Sequence, residues 1–97
     1  MFLASYFEGL FNIRYFVEEI LLSSAEKNKK YTISRISLKD LAVARRLSEL
    51  GFYSGAEVVV LGYSALKKTF LVEISSYTLS LRKSVCDLVF LNEFKKN

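Results

Sequence analysis

Between Tyr31 and Asn92 the chain carries five short runs of β-forming residues, and the stretches that join them are hairpin-sized or hold one short helix. The runs are Tyr31–Ile36 (YTISRI), Glu57–Tyr63 (EVVVLGY), Phe70–Ile74, Thr78–Arg82 (TLSLR) and Leu88–Asn92 (LVFLN). In them β-branched, aromatic or leucine residues recur at alternate positions, which is the period of a half-buried strand. Five such strands are too few and too short for a two-sheet sandwich. They suit a small closed or nearly closed barrel. Ninety-seven residues hold one hydrophobic core and leave no room for a second.

The connection after the first run reads as a helix over Leu41–Leu50. Asp40 is placed to cap its first free N–H groups, with Ser37 as the alternative cap. Val43, Ala44, Leu47 and Leu50 share a face, and Arg45 and Glu49 point away. Gly51 stands where the helix must stop, in a left-handed conformation that costs glycine little, and Phe52 is placed to pack back on Leu47. Tyr53-Ser54-Gly55-Ala56 reads as a tight turn with positive φ at Gly55. Leu47, Leu50 and Val58 are assigned to the core, together with Leu79 and Leu81 of the fourth run. Ser23–Lys30 and Ser64–Lys68 are polar loops, and Lys83–Asp87 reads as one helical turn.

Ahead of the barrel, residues 2–22 show helical spacing. Leu3, Tyr6, Phe7, Leu10, Ile13, Val17, Ile20 and Leu21 fall on one broad face, and Phe11, Tyr15 and Phe16 spill beyond it. The expected organisation is an amphipathic helix over 1–20, a barrel over 21–92 and a charged tail over 93–97. The excess aromatic surface calls for a cover. Folding back on the barrel or pairing in a homodimer through Leu3, Phe7, Leu10, Phe11 and Val17 fits best, ahead of docking on a larger protein. A lipid surface fits worst, because the polar face is acidic. Glu8, Arg14, Glu18 and Glu19 interrupt the apolar run, and no basic segment precedes it, so neither a signal peptide nor a membrane span is expected. The expected location is the cytoplasm, with attachment to the inner membrane only through a protein partner.

Composition excludes most site chemistry. The chain has no histidine and one cysteine, Cys86. The commonest general base is missing, a zinc site of nitrogen and sulfur ligands cannot be assembled, and no internal disulfide can form. No catalytic residue or metal ligand is nominated, and the chain is not expected to be an enzyme. Cys86, between Val85 and Leu88 with only Asp87 beside it, reads as a small buried hydrophobe.

Charge points instead to binding. The net charge is +4, but residues 1–22 carry one base and three acids, whereas residues 23–97 carry thirteen bases and seven acids. A basic body favours an acidic protein patch, a nucleic acid or an anionic lipid. Arg45 and Arg46 on the helix, Lys67 and Lys68 on a hairpin loop, and Tyr53 in the turn are the candidate contacts, since loops on a rigid scaffold concentrate binding. A solvated surface is the plainer reading of the same charges. Arg82 could pair with a carboxylate within the chain. Tyr53, Tyr63 and Tyr77 could stack on bases, but no helix-turn-helix precedes the barrel, so a nucleic acid is the less favoured partner.

The stretch Arg45-Arg46-Leu47-Ser48-Glu49-Leu50-Gly51-Phe52-Tyr53-Ser54-Gly55-Ala56-Glu57-Val58 resembles the hallmark of the FeoA family. Tyr77-Thr78-Leu79-Ser80-Leu81-Arg82-Lys83 resembles its second hallmark, and Leu22-Ser23-Ser24 resembles a degenerate start of the domain. The likeness covers residues 21–92, with Leu47, Leu50, Gly51, Gly55, Leu81 and Arg82 at the motif positions. Ser54 stands where the family commonly has proline, and residues 1–20 are extra. The resemblance implies an SH3-like barrel in the cytoplasm. It implies a non-catalytic partner that binds and tunes FeoB, a membrane ferrous-iron permease with a cytosolic G domain. The same domain type ends repressors of the diphtheria-toxin-repressor kind, so a regulatory or nucleic-acid-binding module is the alternative it implies. Family descriptions also attach weak transition-metal binding, ferrous iron included, for which these residues supply no evident site; no cofactor is evident.

Overall fold

Tyr31 and Ile33, Val58 and Val60, and Phe70, Val72 and Ile74 are buried at alternate positions of three neighbouring strands, and their partners in sequence are more exposed. This two-residue period places one sheet face on the core. The computed structural model describes the backbone of residues 4–8 and 14–96, and the side chains of residues 17–94. In chain order the elements are β1 (Ala4–Glu8), β2 (Arg14–Leu21), β3 (Lys30–Ile36), α1 (Leu41–Glu49), β4 (Glu57–Tyr63), β5 (Thr69–Ile74), β6 (Tyr77–Arg82), α2 (Lys83–Cys86) and β7 (Val89–Lys96). Single 3₁₀ turns stand at Leu22–Ser24 and Ala65–Lys67.

The seven strands form one sheet in the order β1-β2-β7-β3-β4-β5-β6, with every pair antiparallel. The register shifts between Ile33 and Arg35 against β7, and between Val60 and Gly62 against β5. Such irregularities bend strands and increase local twist, which lets a single sheet wrap its own core. Leu22, Ala25, Leu47, Phe52, Leu81, Cys86, Val89 and Leu91 complete that core.

Local chemistry fixes α1. The Asp40 carboxylate accepts from the Val43 N–H at 3.2 Å, as an N-cap should. At the other end the Gly51 N–H bonds to the Ser48 carbonyl and the Phe52 N–H to the Leu47 carbonyl, while Gly51 has φ +102°. This is the glycine-terminated C-cap expected from the sequence, and Phe52 is fully buried behind it. The next turn closes with Ala56 N–H on the Tyr53 carbonyl, Gly55 at φ +94°, and Gly55 N–H on the Ile33 carbonyl. The FeoA-like motif is thus a helix stop and a turn stitched to β3.

Three expectations need correction. The helix over 2–22 is not formed: residues 4–8 and 14–21 are the strands β1 and β2. Tyr15 to Leu21 pair with Lys96 to Phe90 of β7, so a long-range ladder outweighs a local helical period in a segment rich in β-branched and aromatic residues. Of the residues proposed for a helical dimer seam, Leu3, Leu10 and Phe11 lie outside the described residues. Phe7 lies in β1 opposite Tyr15, and Val17 lies in β2 opposite Phe94. Second, the last strand does not stop at Asn92 but runs to Lys96, so residues 93–96 are sheet and not a tail. Third, the sheet is open among the described residues. No pairing joins β6 to β1, and the strands number seven in place of about five.

Candidate interaction surface

Helix α1 buries only Leu47 completely, with Val43 and Leu50 partly covered. Between this face and the chain segment that leaves β6 through α2 runs a shallow apolar groove of about 140 Å³. It is lined by Val43, Leu47, Leu50, Leu81 and Val85, with Arg46 at its rim. Arg45 and Arg46 are both exposed, and none of the described ion pairs includes either. The groove therefore offers aliphatic walls beside a guanidinium fork that suits a carboxylate.

A second cationic site lies at the far end of β4. Lys27 Nζ stands 5.1 Å and Lys67 Nζ 4.8 Å from the ring centroid of Tyr63, which also packs obliquely on Phe70 at 5.8 Å. Lys27 comes from the polar stretch before β3. An isolated bridge to Val60, with the Asn28 N–H donating to the Val60 carbonyl at 2.8 Å, holds it there. Lys67 comes from the turn after β4. The Ser64 hydroxyl accepts from the Lys68 and Thr69 N–H groups, and the Lys67 N–H donates to the Ser64 carbonyl. This wiring carries Leu66 at φ +68° and Lys67 at φ +52°, positive values that L-residues seldom adopt.

The residues nominated from sequence do not form one patch. Arg46 belongs to the helix groove, and Lys67 belongs to the Tyr63 site. Lys68 borders the latter, and its carbonyl accepts from the Lys83 N–H at the start of α2. Tyr53 is 58% exposed in its own turn. Tyr63 and Tyr77 lie at opposite ends of the β4–β5–β6 sheet: Tyr63 pairs with Phe70, whereas Tyr77 pairs with Ile74. Tyr77 also hydrogen-bonds to the Leu50 carbonyl. The three tyrosines do not make a common stacking platform. Leu47 and Leu81 are core, Leu50 is partly buried, and Gly51 and Gly55 are turn residues. Arg82 is exposed, and none of the described ion pairs includes it. Lys27 and Leu66 were not singled out in the sequence. Only the bridge to Val60 brings Lys27 to Tyr63, and no local pattern announces it.

Two carboxyls held below their usual values tie elements of the fold together. Burial would raise the Glu19 carboxyl, but hydrogen bonds from Ser34 and Arg35 and the Arg35 charge outweigh it and hold it below the usual glutamate value. Glu19 on β2 thereby reaches across β7 to β3, and Arg35 stacks on Phe90 at 3.8 Å. Burial opposes ionisation of Asp87 too, yet the Ser23 hydroxyl and Lys83 ammonium hold its carboxyl below the usual aspartate value. Burial, with the neighbouring Asp87 charge, pushes the Cys86 thiol up to about 12. The Asp87 carboxylate beside Cys86 is already engaged by Ser23 and Lys83. Among the described residues no three potential ligands gather in one place. None of the described helices is long and apolar enough to cross a membrane.

Comparison with known proteins adds to this geometry. The model of the FeoA domain matches residues 20–93. A candidate Fe(2+) transport protein A of Helicobacter pylori is 31% identical over 72 residues, covering 74% of this chain and 95% of the relative. Among solved structures, the FeoA of Stenotrophomonas maltophilia superposes with a TM-score of 0.67 at 26% identity, covering 76% of this chain and 95% of that one. It is described as a complex with zinc and as a prokaryotic SH3 domain protein. A manganese-dependent transcriptional repressor superposes with a TM-score of 0.69 at 20% identity. It covers 75% of this chain, which spans only 40% of the repressor, and the likeness is one of fold.

Proposed function

This chain belongs to the FeoA family, and on that premise we propose that it is a non-catalytic accessory protein of ferrous iron uptake that binds the cytosolic part of a FeoB-type permease. The observation that carries the reading is the α1 groove. Val43, Leu47, Leu50, Leu81 and Val85 offer a hydrophobic seat, and the uncommitted Arg46 stands at its rim with Arg45 one residue away. Such a surface takes an apolar side chain flanked by a carboxylate, and the fork can meet that carboxylate in a bidentate way. Function follows from differential binding. If the protein binds one state of the transporter more tightly than another, it shifts the population toward that state and changes flux. Iron enters this account as the transporter's cargo. The reading places the chain in the cytoplasm, held at the inner membrane by its partner.

The test is retention of the permease's cytosolic region on the immobilised full chain at low and high salt. Retention that weakens with salt and falls on Arg46→Glu supports the reading, because exposed charge pairs are screened. No retention at either salt overturns it.

A further inference from the structure

We propose that the turn after β4 is a direct contact with an anionic lipid surface, in which Leu66 enters the headgroup layer while Lys27, Lys67 and Lys68 meet lipid phosphates. Leu66 is 83% exposed, the highest value among the described large apolar residues, and it sits at the tip of the turn. A leucine on the surface is ordinary, but one held at φ +68° is not. The Ser64 hydroxyl, bonded to two backbone N–H groups across the turn, holds the conformation. The constraint keeps an apolar side chain at the apex where a glycine would relieve the backbone. Strain of this kind persists where a surface has work to do.

The surroundings fit lipid. Lys27 and Lys67 lie against the Tyr63 ring, Lys68 follows directly, and none of the described ion pairs includes any of the three. Ammonium groups gathered without a carboxylate favour an anionic counter-surface. Tyrosine, with an apolar ring and a polar tip, is enriched at headgroup depth. An apolar tip followed in sequence by two lysines, with Lys27 and Lys67 held against Tyr63 beside it, gives two signals, hydrophobic and electrostatic. One signal alone gives only marginal membrane binding, and two together make it stable. An acidic protein patch would satisfy the lysines but would give the exposed leucine no apolar layer. This contact uses residues outside the α1 groove, so it does not depend on the docking reading.

The experiment is co-sedimentation of the full chain with phosphatidylcholine vesicles and with mixed phosphatidylcholine–phosphatidylglycerol vesicles, at low and high salt. Binding is expected on the mixed vesicles only, and weaker at high salt. Leu66→Gly should reduce it by roughly 10-fold, the scale of losing a buried leucine side chain, while thermal stability holds or rises. Lys67→Gln with Lys68→Gln should cost roughly 5-fold per lysine. The charge-matched pair Arg45→Gln and Arg46→Gln should cost distinctly less. Any of three results overturns the proposal: no binding to the anionic vesicles, binding unchanged in Leu66→Gly, or equal losses in the two charge-matched pairs. The last would mean attraction by net charge alone.

Discussion

The Tyr77 hydroxyl donates a hydrogen bond to the carbonyl oxygen of Leu50, so the start of β6 is tied to the C-cap residue of α1. That carbonyl is one of the groups a helix end leaves without an intrahelical partner. Phenylalanine at 77 keeps the ring and removes the donor. Tyr77→Phe should lower stability by about 0.5–1.5 kcal/mol. For a domain of this size that corresponds to a drop of several degrees in Tm, roughly 4–8 °C per kcal/mol. A thermal melt indistinguishable from the parent would mean that water replaces the tie at no cost.

Gly51 and Gly55 both have positive φ, but their surroundings differ. A Cβ at Gly51 would stand 3.1 Å from the Ser75 Oγ, whereas one at Gly55 meets nothing within 4 Å. Alanine is sterically strained at such positive φ, which costs about 1–2 kcal/mol at each site. Gly51→Ala should be the worse of the two, and adding Ser75→Ala should recover the difference. Denaturant titration of the three variants checks this; equal losses at the two glycines would show that Ser75 simply moves aside.

Acid should unfold the protein through Glu19 and Asp87. Both carboxyls titrate lower in the folded chain than in the unfolded one, so the unfolded state binds protons first. Their stabilisation is complete above the ordinary carboxylate range. It is lost as the pH falls through that range toward the folded values. Stability measured against pH should therefore fall on acidification below about pH 4–5. Glu19→Gln with Asp87→Asn should flatten that fall. A double variant with the parent's acid slope would assign the effect to other groups.

Cys86 is fully buried, and its thiol is pushed up to about 12. Only the thiolate attacks disulfide reagents. Labelling of the native protein by an aromatic disulfide reagent at pH 8 should be slow and should track global opening. In denaturant it should be complete at once. Fast labelling without denaturant would reveal a local opening beneath α2.

Helix α1 was legible because its signals are local. Asp40 caps it, Gly51 stops it and Phe52 closes over it, all within thirteen residues. The alternation through Val58, Val60, Phe70, Val72 and Ile74 likewise identified strands before any partner was known. The amino-terminal segment was not legible, because its spacing satisfies a helix and its β-forming composition satisfies a strand. What decides is β7, about seventy residues downstream, against which Tyr15 to Leu21 pair. The two cationic groups were visible as charges but not as two places. Arg46 joins a groove built from α1, β6 and α2, and Lys67 joins Lys27 only because a bridge to Val60 carries Lys27 across.

The pairing of β2 with β7 reverses what shortening the chain should do. An amphipathic helix that zipped two copies together would, once removed, leave monomers. Strand β2 instead shields the outer backbone of β7 from Phe90 to Lys96, and β1 beyond it is only five residues long. Cutting the chain before Leu21 would bare that row of N–H and C=O groups, an adhesive border on which further copies could template. The amino-terminal hairpin is in this sense a guard against self-association, and a trimmed protein should show larger species in sedimentation, not smaller ones.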